Sequence, residues 1–435
     1  MALTDSNLKC TPPLATWPAL AQGRAVWTGH QPRFWHAGIL AKYQAADAAM
    51  TAAGDTTTAL HHLVVDQDVQ DPLVIDAPVL RADTLTVTSV RLGATRVDVP
   101  TGCQPALAIA EPSLPQGIDT RAAQGIRRIT QALRSAQNAT TLAQQVTGAL
   151  TALLTPYLSR PLTAHYATDF QHAPWFAAEC HRLLHDAKSC VTAYNRAVAR
   201  DPGAGIAPLQ HEPFRCELPL WALTHNAPRQ RVYADLADTQ PLFTTESGTP
   251  LAPGTSLAPR ALLLTAWQRQ NPNCGLFVHG TGGGRYDRIT ETWWATWRQK
   301  SLAPIAVATA DARLHFDVPV HTPRDVTRAI WHAHHLPHNL DRELNLTSPL
   351  VQEKHTLLAM LNNTQAPRDT PHKRQLKKER RAAFHRIHAI NAELCKQNKN
   401  AIQASLSNVT RTRQGVTNAT HAHRRDWPFV FNASG

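Results

Sequence analysis

The residues best suited to chemistry stand close together near the amino terminus, in the stretch Thr28-Gly29-His30-Gln31 and at His36. An imidazole titrates near neutral pH, so His30 and His36 are candidate acid–base catalysts. The stretch follows the apolar run Ala25-Val26-Trp27 and precedes a helical pattern. In an α/β sheet such a junction lies at the carboxyl end of a strand, where ligands bind. An ordinary strand-to-helix turn is the alternative.

A second candidate is the glycine-rich run from His279 to Asp287. Glycines let backbone N–H groups approach an anion, and the start of a following helix favours negative charge. The run lacks the Lys-Ser/Thr pair of a Walker A loop and the glycine spacing of the dinucleotide fingerprint. A tight turn that needs glycine is the alternative. The predicted ligand-binding residues of this run are His279, Gly282, Gly283, Gly284, Arg285, Tyr286 and Asp287.

A third candidate is Asp66-Gln67-Asp68, at the end of the apolar run Leu63-Val64-Val65. A carboxylate there could act as a general base or bind an amine or a ribose, and Asp66 is the catalytic candidate. Capping of the next turn is the alternative, more so for Asp68. We expect the three segments and Arg260 to surround one cleft, with Thr28, Gly29, Gln31 and Asp68 among its ligand-binding residues.

No metal site is predicted. The cluster His332, His334, His335 and His338 has no cysteine or carboxylate pair to complete it, and the chain holds 23 histidines. The seven cysteines are scattered and include no Cys-x-x-Cys, so reduced thiols are expected.

Composition points to a cytoplasmic protein of two or three units. The chain has 435 residues, 43% of them hydrophobic, and no apolar run long enough for a transmembrane helix. Its start does not read as a signal peptide. The net charge of +12 suggests the hypothesis of nucleic-acid binding. The densest basic block, 373–381, however, has no interleaved aromatic residues that could stack on bases. A solvated helix face is favoured, so nucleic acid is not the expected partner.

The pattern of elements predicts an α/β fold, with a Rossmann-like, mostly parallel sheet as its core. Strands are predicted at 25–29, 61–68, 217–223, 230–234, 275–279 and 305–310, and an antiparallel edge or small insertion at 73–76 and 85–92. Helices are predicted at 36–53, 175–199 and 289–297. A helical pattern, without defined helix ends, is predicted over 120–158. The predicted divisions are a first core half at 1–117, a helical insertion at 118–205, a second core half at 206–345, a helical hairpin or coiled coil at 346–420, and a tail at 421–435 that returns to the core.

A long helix is predicted from about 372 to 407. Its apolar residues approximate a heptad seam that needs a partner, namely Leu376, Ala383, Ile387, Ile390, Leu394 and Ala401. We expect a homodimer through 372–407, with an intramolecular helical hairpin as the alternative.

The order of these parts resembles the BshC family, which adds cysteine in bacillithiol biosynthesis. Thr28-Gly29-His30-Gln31 resembles that family's Thr-Gly-Gln-Gln turn, and 63–68 its strand ending Glu-Asp-His-Asp. Segment 257–263 is similar to its Leu-Ser-Pro-Asn-Val-Leu-Leu, and the turn 280–284 with Tyr286 to its Gly-Gly-Pro-x-Glu-x-x-Tyr. The chain departs from the pattern at His30, Gln67 and Asp287.

The resemblance implies a Rossmann-like core, connecting insertions, a coiled-coil dimer element, nucleotide binding and the joining of cysteine to a glucosamine–malate conjugate. Fold transfers between relatives better than substrate does. We therefore expect a BshC-like ligase or transferase that acts on a small amine- or thiol-bearing metabolite, with ADP or ATP as the cofactor to test. The alternative is a non-catalytic BshC-like scaffold whose basic helices bind nucleic acid or a protein.

Overall fold

A computed structural model describes residues 8–17, 24–54, 58–363 and 372–432. By their internal contacts the residues form two compact units. The first unit comprises 1–79, 87–314 and 424–435, and the second comprises 80–86 and 315–423, in each case for the part that the structure describes.

The elements alternate between strands and helices through the first unit and are helical in most of the second. The described strands are β1 (Leu8–Thr11), β2 (Ala25–His30), β3 (Leu60–Val64), β4 (Val74–Arg81), β5 (Thr84–Arg91), β6 (Leu162–Tyr166), β7 (His211–Glu212), β8 (Arg215–Leu223), β9 (Gln230–Asp235), β10 (Leu242–Thr244), β11 (Ser256–Pro259), β12 (Cys274–His279) and β13 (Ile305–Ala310). The described α-helices are α1 (Ala37–Ala52), α2 (Thr120–Ser135), α3 (Leu142–Leu154), α4 (Phe176–His185), α5 (Ala187–Arg200), α6 (Ala261–Gln270), α7 (Thr281–Arg298), α8 (Pro323–Glu343), α9 (Pro349–Asn363), α10 (His372–Gln397) and α11 (Lys399–Ala422).

The main sheet of the first unit has the order β1-β13-β12-β2-β3-β6 within the described residues. All neighbouring pairs are parallel except the edge strand β1, which runs antiparallel to β13. This confirms the prediction that the runs 25–29, 63–66 and 275–279 share one mostly parallel sheet. From β2 the chain adds β3 and β6 on one side, and later β12 and β13 on the other. The strand order therefore reverses between β2 and β12, which opens a crevice at their carboxyl ends.

Burial explains why these short runs form parallel strands. Val26, Leu60, Leu276 and Val278 have no exposed surface, and they pack together with alanines of α1 and β13. A strand that is covered on both faces is apolar along its length, and its residues do not alternate between apolar and polar. The helix α1 packs on β2 and β13, and its run of alanines allows this close approach.

The predicted helical stretch at 118–205 also contains a strand. Its helices α2, α3, α4 and α5 are present, but β6 pairs in parallel with β3 and extends the main sheet. The single helix expected at 175–199 is two helices, because the backbone of Asp186 turns out of the helical region at ψ 14°. A separate antiparallel sheet in the order β10-β9-β8-β11 contains the predicted strands 217–223 and 230–234. The predicted strands at 73–76 and 85–92 are β4 and β5, which pair with each other.

The helices of the second unit differ from the predicted long helix. Asn398 has a non-helical backbone (φ −119°, ψ 38°), so α10 ends at Gln397 and α11 begins at Lys399. Ile390 and Leu394 pack with Leu336 and Leu340 of α8, so this part of the predicted seam is covered within the chain.

The helix α8 continues through a proline. Pro337 lies inside α8, and the helix is distorted two residues later at Asn339 (φ −129°, ψ 21°). A proline removes one backbone donor and bends a helix without having to end it. Among the described helices, none has both the length and the apolar character that crossing a membrane would require.

Candidate functional site

A cleft of about 540 Å³ lies in the first unit, at the carboxyl ends of β2 and β12. This is the point where the strand order reverses, which is where open α/β sheets bind ligands. The cleft brings together two of the predicted segments, which are far apart in the sequence. The predicted site residues that line it are Gly29, His30, Gln31, His36, His279, Gly282, Gly283, Tyr286 and Asp287.

Two predicted charged residues, Asp66 and Arg260, lie outside this lining and have other partners. Asp66 is buried and accepts hydrogen bonds from the backbone N–H and the hydroxyl of Thr168, at 3.0 and 2.5 Å. Burial raises the pKa of Asp66 to about 7. Arg260 forms an ion pair with Glu217 at 2.8 Å, and its guanidinium lies over the ring of Trp221. These contacts bind strands and turns together, so the prediction that both residues line the cleft is wrong.

The remaining predicted residues are adjacent to the lining. Asp68 pairs with Arg229 at 2.8 Å and also accepts a hydrogen bond from the amide of Gln31, which does line the cleft. Thr28 is buried in β2, and Arg285 is exposed on α7. Gly284 lies where a Cβ would collide with a methyl group of Val307, so it permits α7 to pack closely on β13.

The turn between β2 and α1 fixes the protons of two imidazoles. The Nδ1 atom of His30 lies 3.2 Å from the carbonyl oxygen of Gln31, so Nδ1 must be the donor and Nε2 is the unprotonated nitrogen of the neutral ring. Burial, with the nearby charge of Lys42, holds the pKa of His30 well below its usual value. The Nδ1 atom of His36 accepts from the backbone N–H of Gly38 at 3.0 Å and so caps α1. Its pKa is lowered mainly by burial.

On the opposite wall, His279 is held against a buried carboxylate. Its Nε2 lies 2.5 Å from Oδ2 of Asp287, at an angle too bent for a hydrogen bond. The same oxygen lies 3.2 Å from the guanidinium of Arg269, which is itself buried. A carboxylate behind an imidazole orients the ring and stabilises its protonated form. His279 and Asp287 are therefore arranged for proton transfer at the cleft.

The glycines after β12 serve different purposes. A Cβ at Gly283 would collide with Nδ1 of His279, so this glycine makes room for the imidazole. A Cβ at Gly282 would meet no atom within 4 Å, so this residue leaves the cleft open. Gly280 is the N-cap of α7, and no side chain caps the helix there. The first N–H groups of α7 thus face a cleft with no capping side chain, an arrangement that binds anions.

Sequence reasoning missed Lys42, which lies in α1 and lines the same cleft. Only 2% of its surface is exposed, and Nζ donates to the carbonyl oxygen of Gly29 at 2.6 Å. Burial lowers its pKa to about 7. The signal that could have identified it is a lysine within a helix rich in alanine, because a lysine is rarely buried unless it is paired.

The carboxyl-terminal tail supplies the last wall of the cleft. Arg425 and Asp426 line it together with Thr309, whose hydroxyl accepts from Arg425 at 3.1 Å. A second guanidinium nitrogen of Arg425 lies 2.7 Å from Asp311. The tail is held further by the backbone N–H of Phe429, which donates to the carbonyl oxygen of Trp35 at 2.7 Å.

Among the described residues, no group of three or more His, Cys, Asp or Glu side chains is arranged to hold a metal ion. In the histidine cluster of α8, His335 instead stacks on Trp331, with ring centroids 4.1 Å apart. Comparison with known protein families and with curated proteins gives no match for this chain.

Proposed function

We propose that the chain is a BshC-like enzyme with a Rossmann-like core, a ligase or transferase acting on a small amine- or thiol-bearing metabolite. The cleft at the strand reversal is its active site. One observation carries the proposal: His279, backed by buried Asp287, stands in the same cleft as the uncapped start of α7. A proton-transfer group beside an anion site is the arrangement that group transfer to or from a phosphate- or carboxylate-bearing molecule needs.

The roles divide between the two walls. A phosphate or carboxylate of the substrate, or of a nucleotide, would accept from the N–H groups at Gly282 and Gly283. His279 would take a proton from the attacking amine or thiol, and Asp287 would stabilise the imidazolium. Neutral His30 offers Nε2 as a second acceptor.

Ligand binding to the whole chain tests this proposal. ADP, ATP, cysteine and a glucosamine–malate conjugate are screened by thermal shift, and the responding compounds are titrated calorimetrically. We expect a response to an anionic compound that weakens at least tenfold in His30→Ala or His279→Asn, and product formation that His279→Asn abolishes. The exposed His225→Asn serves as the matched control and should behave as the wild type. A wild type that binds none of these compounds would contradict the proposal.

The second candidate function has one observation in its favour. Arg374, Lys377 and Lys378 are exposed on α10, so a basic surface is available for phosphate contact. A non-catalytic scaffold using this surface would bind oligonucleotides with an affinity that falls steeply as salt rises, and would give no response to the small molecules above.

The homodimer through 372–407 stays a prediction. Since Ile390 and Leu394 are covered within the chain, the contact would have to use another face of α10, on which Phe384 is 50% exposed.

A further inference from the structure

Lys42 is a buried amine that has no counterion in the described part of the protein. Its side chain is almost completely buried, and its one hydrogen-bond acceptor among the described residues is the neutral carbonyl oxygen of Gly29. No carboxylate of the described residues forms an ion pair with it. Lys354, a buried lysine of α9, shows the usual solution, because its Nζ lies 2.5 Å from Asp341 and donates to the carbonyl oxygen of His338.

Three histidines and a tyrosine near Lys42 are basic or neutral groups. These are His30 at the end of β2, His62 in β3 and His36 at the start of α1, and burial lowers the pKa of each, with a smaller contribution from the charge of Lys42. Tyr43 is its neighbour on α1, and burial holds the pKa of that phenol well above its usual value. None of these four groups supplies a negative charge at neutral pH. Asp287 and Asp426 also line the cleft, but neither contributes to the pKa of Lys42, which burial alone lowers.

Geometry connects the amine to the anion site. The aliphatic stem of Lys42 lies 3.8 Å from the position that a Cβ would occupy on Gly280, the N-cap of α7. The amine therefore stands between the carboxyl end of β2 and the uncapped start of α7, on the cleft. Two of its three N–H bonds, when it is protonated, have no acceptor among the described residues.

We propose that Lys42 selects an oxyanion for this cleft and takes up one proton from solvent as the anion binds. The inference rests on the proposed function and names its ligand class, a molecule with a phosphate, sulfate or carboxylate group. The exchange is balanced, since one neutral amine and one solvent proton become an ammonium group, and the bound oxyanion becomes its counterion. A buried charge is stable only with such a partner.

Proton uptake follows from the state of the empty cleft. With a pKa of about 7, Lys42 carries its proton in about one tenth of the molecules at pH 8. An anion within hydrogen-bond distance raises that pKa, because an opposite charge favours the ionised form. His30, His36 and His62 have lowered pKa values and Tyr43 a raised one, so these groups do not titrate between pH 7 and 9. His279 is another titratable group on the cleft, and the Lys42→Arg variant, which keeps His279, reports any proton that His279 takes up.

Calorimetry with sulfate tests the inference, because sulfate is a dianion that does not itself titrate in this range. Titrations in two buffers of different ionisation enthalpy give the number of protons taken up. We expect about 0.9 proton per sulfate at pH 8 and about 0.1 at pH 6, and an affinity that falls about 50-fold between pH 7 and 9, on the basis of the pKa of about 7.

Two variants separate the charge from the packing. Lys42→Arg keeps the charge at every pH, so it should bind sulfate without proton uptake and with little dependence on pH. Lys42→Met should bind sulfate at least tenfold more weakly than the wild type, and its affinity should no longer depend on pH in this way. Lys300→Met removes one exposed lysine from outside the cleft and controls for the change in net charge.

The outcomes are distinct. Sulfate binding by the wild type without proton uptake, or with the same uptake in Lys42→Arg, overturns the inference and leaves the proposed function standing. A wild type that binds neither sulfate nor inorganic phosphate overturns both the inference and the anion site of the proposed function. If Lys42→Met does not fold, Lys42→Arg alone decides.

Discussion

Two neighbouring glycines at the start of α7 should respond in opposite ways to the same substitution. A Cβ at Gly282 meets no atom within 4 Å, and its backbone is outside the left-handed region. Gly282→Ala should therefore stabilise the protein by about 0.5 kcal/mol, because alanine restricts the unfolded chain more than glycine does. A Cβ at Gly283 would collide with Nδ1 of His279 and lie only 3.1 Å from Cγ of the same ring.

The ring of His279 cannot yield cheaply to Gly283→Ala. It is buried, it packs at 4.6 Å from the ring of Phe277, and it is held against Asp287. Overpacking of a buried site costs about 1–3 kcal/mol. We therefore expect Gly283→Ala to be less stable than Gly282→Ala by about 2 kcal/mol, because the strain beside His279 falls on that variant alone while the gain from alanine is common to both.

Urea unfolding of the full chain, followed by tryptophan fluorescence, measures the difference, since Trp293 and Trp294 of the same helix are buried. Equal urea midpoints for the two variants would refute the reasoning, because the imidazole would then not depend on the space beside Gly283.

The remaining predictions concern buried charges and assembly. Asp287→Asn leaves the half-exposed Glu291 as the one described carboxylate paired with Arg269, and it should cost about 3 kcal/mol in urea unfolding. Glu291→Gln should cost less than about 1 kcal/mol, and similar losses in the two variants would contradict the assignment of the buried pair. The carboxyl of Asp66 has a folded pKa of about 7, above its unfolded value of about 3.9, so its contribution is present at low pH and is lost as pH rises toward 7. Asp66→Asn should therefore gain stability relative to the wild type on going from pH 5 to pH 8, and an unchanged difference would count against this. Sedimentation velocity at micromolar concentration should show a dimer that Phe384→Glu dissociates, and a monomeric wild type would contradict the dimer.

The parallel core could be predicted because buried strands leave a plain signal. Val26 with Trp27 and Leu276 with Phe277 belong to short apolar runs bounded by polar turns, and both runs are strands of one sheet. The strand β6 left no such signal, because its residues are only partly buried at the edge of the sheet. Its pairing with β3 is decided by tertiary contact and not by local pattern.

The partners of individual charged side chains could not be predicted from the sequence. The turn at His30 and the glycine run at Gly282 were recognised by composition, and the fold places both on one cleft. Arg260 and Asp66 have the same residue types as a site, but their partners are Glu217 and Thr168, which are 43 and 102 positions away. Whether a charged side chain faces a ligand or a structural partner depends on such distant contacts, which no local spacing records.

The electrostatics of the cleft explain why a functional lysine escapes sequence reasoning while a functional histidine does not. A histidine is suspected wherever it occurs, because its ordinary pKa already lies near neutral pH. A lysine acquires that property only through burial, and the burial of Lys42 depends on β2, on α1 and on the close approach of Gly280. The sheet order creates this environment, since the reversal between β2 and β12 sets a strand end beside the start of α7. The same topology that opens the crevice therefore also produces the unpaired charge within it, and the two features should be lost together when the β2–β12 junction is disturbed.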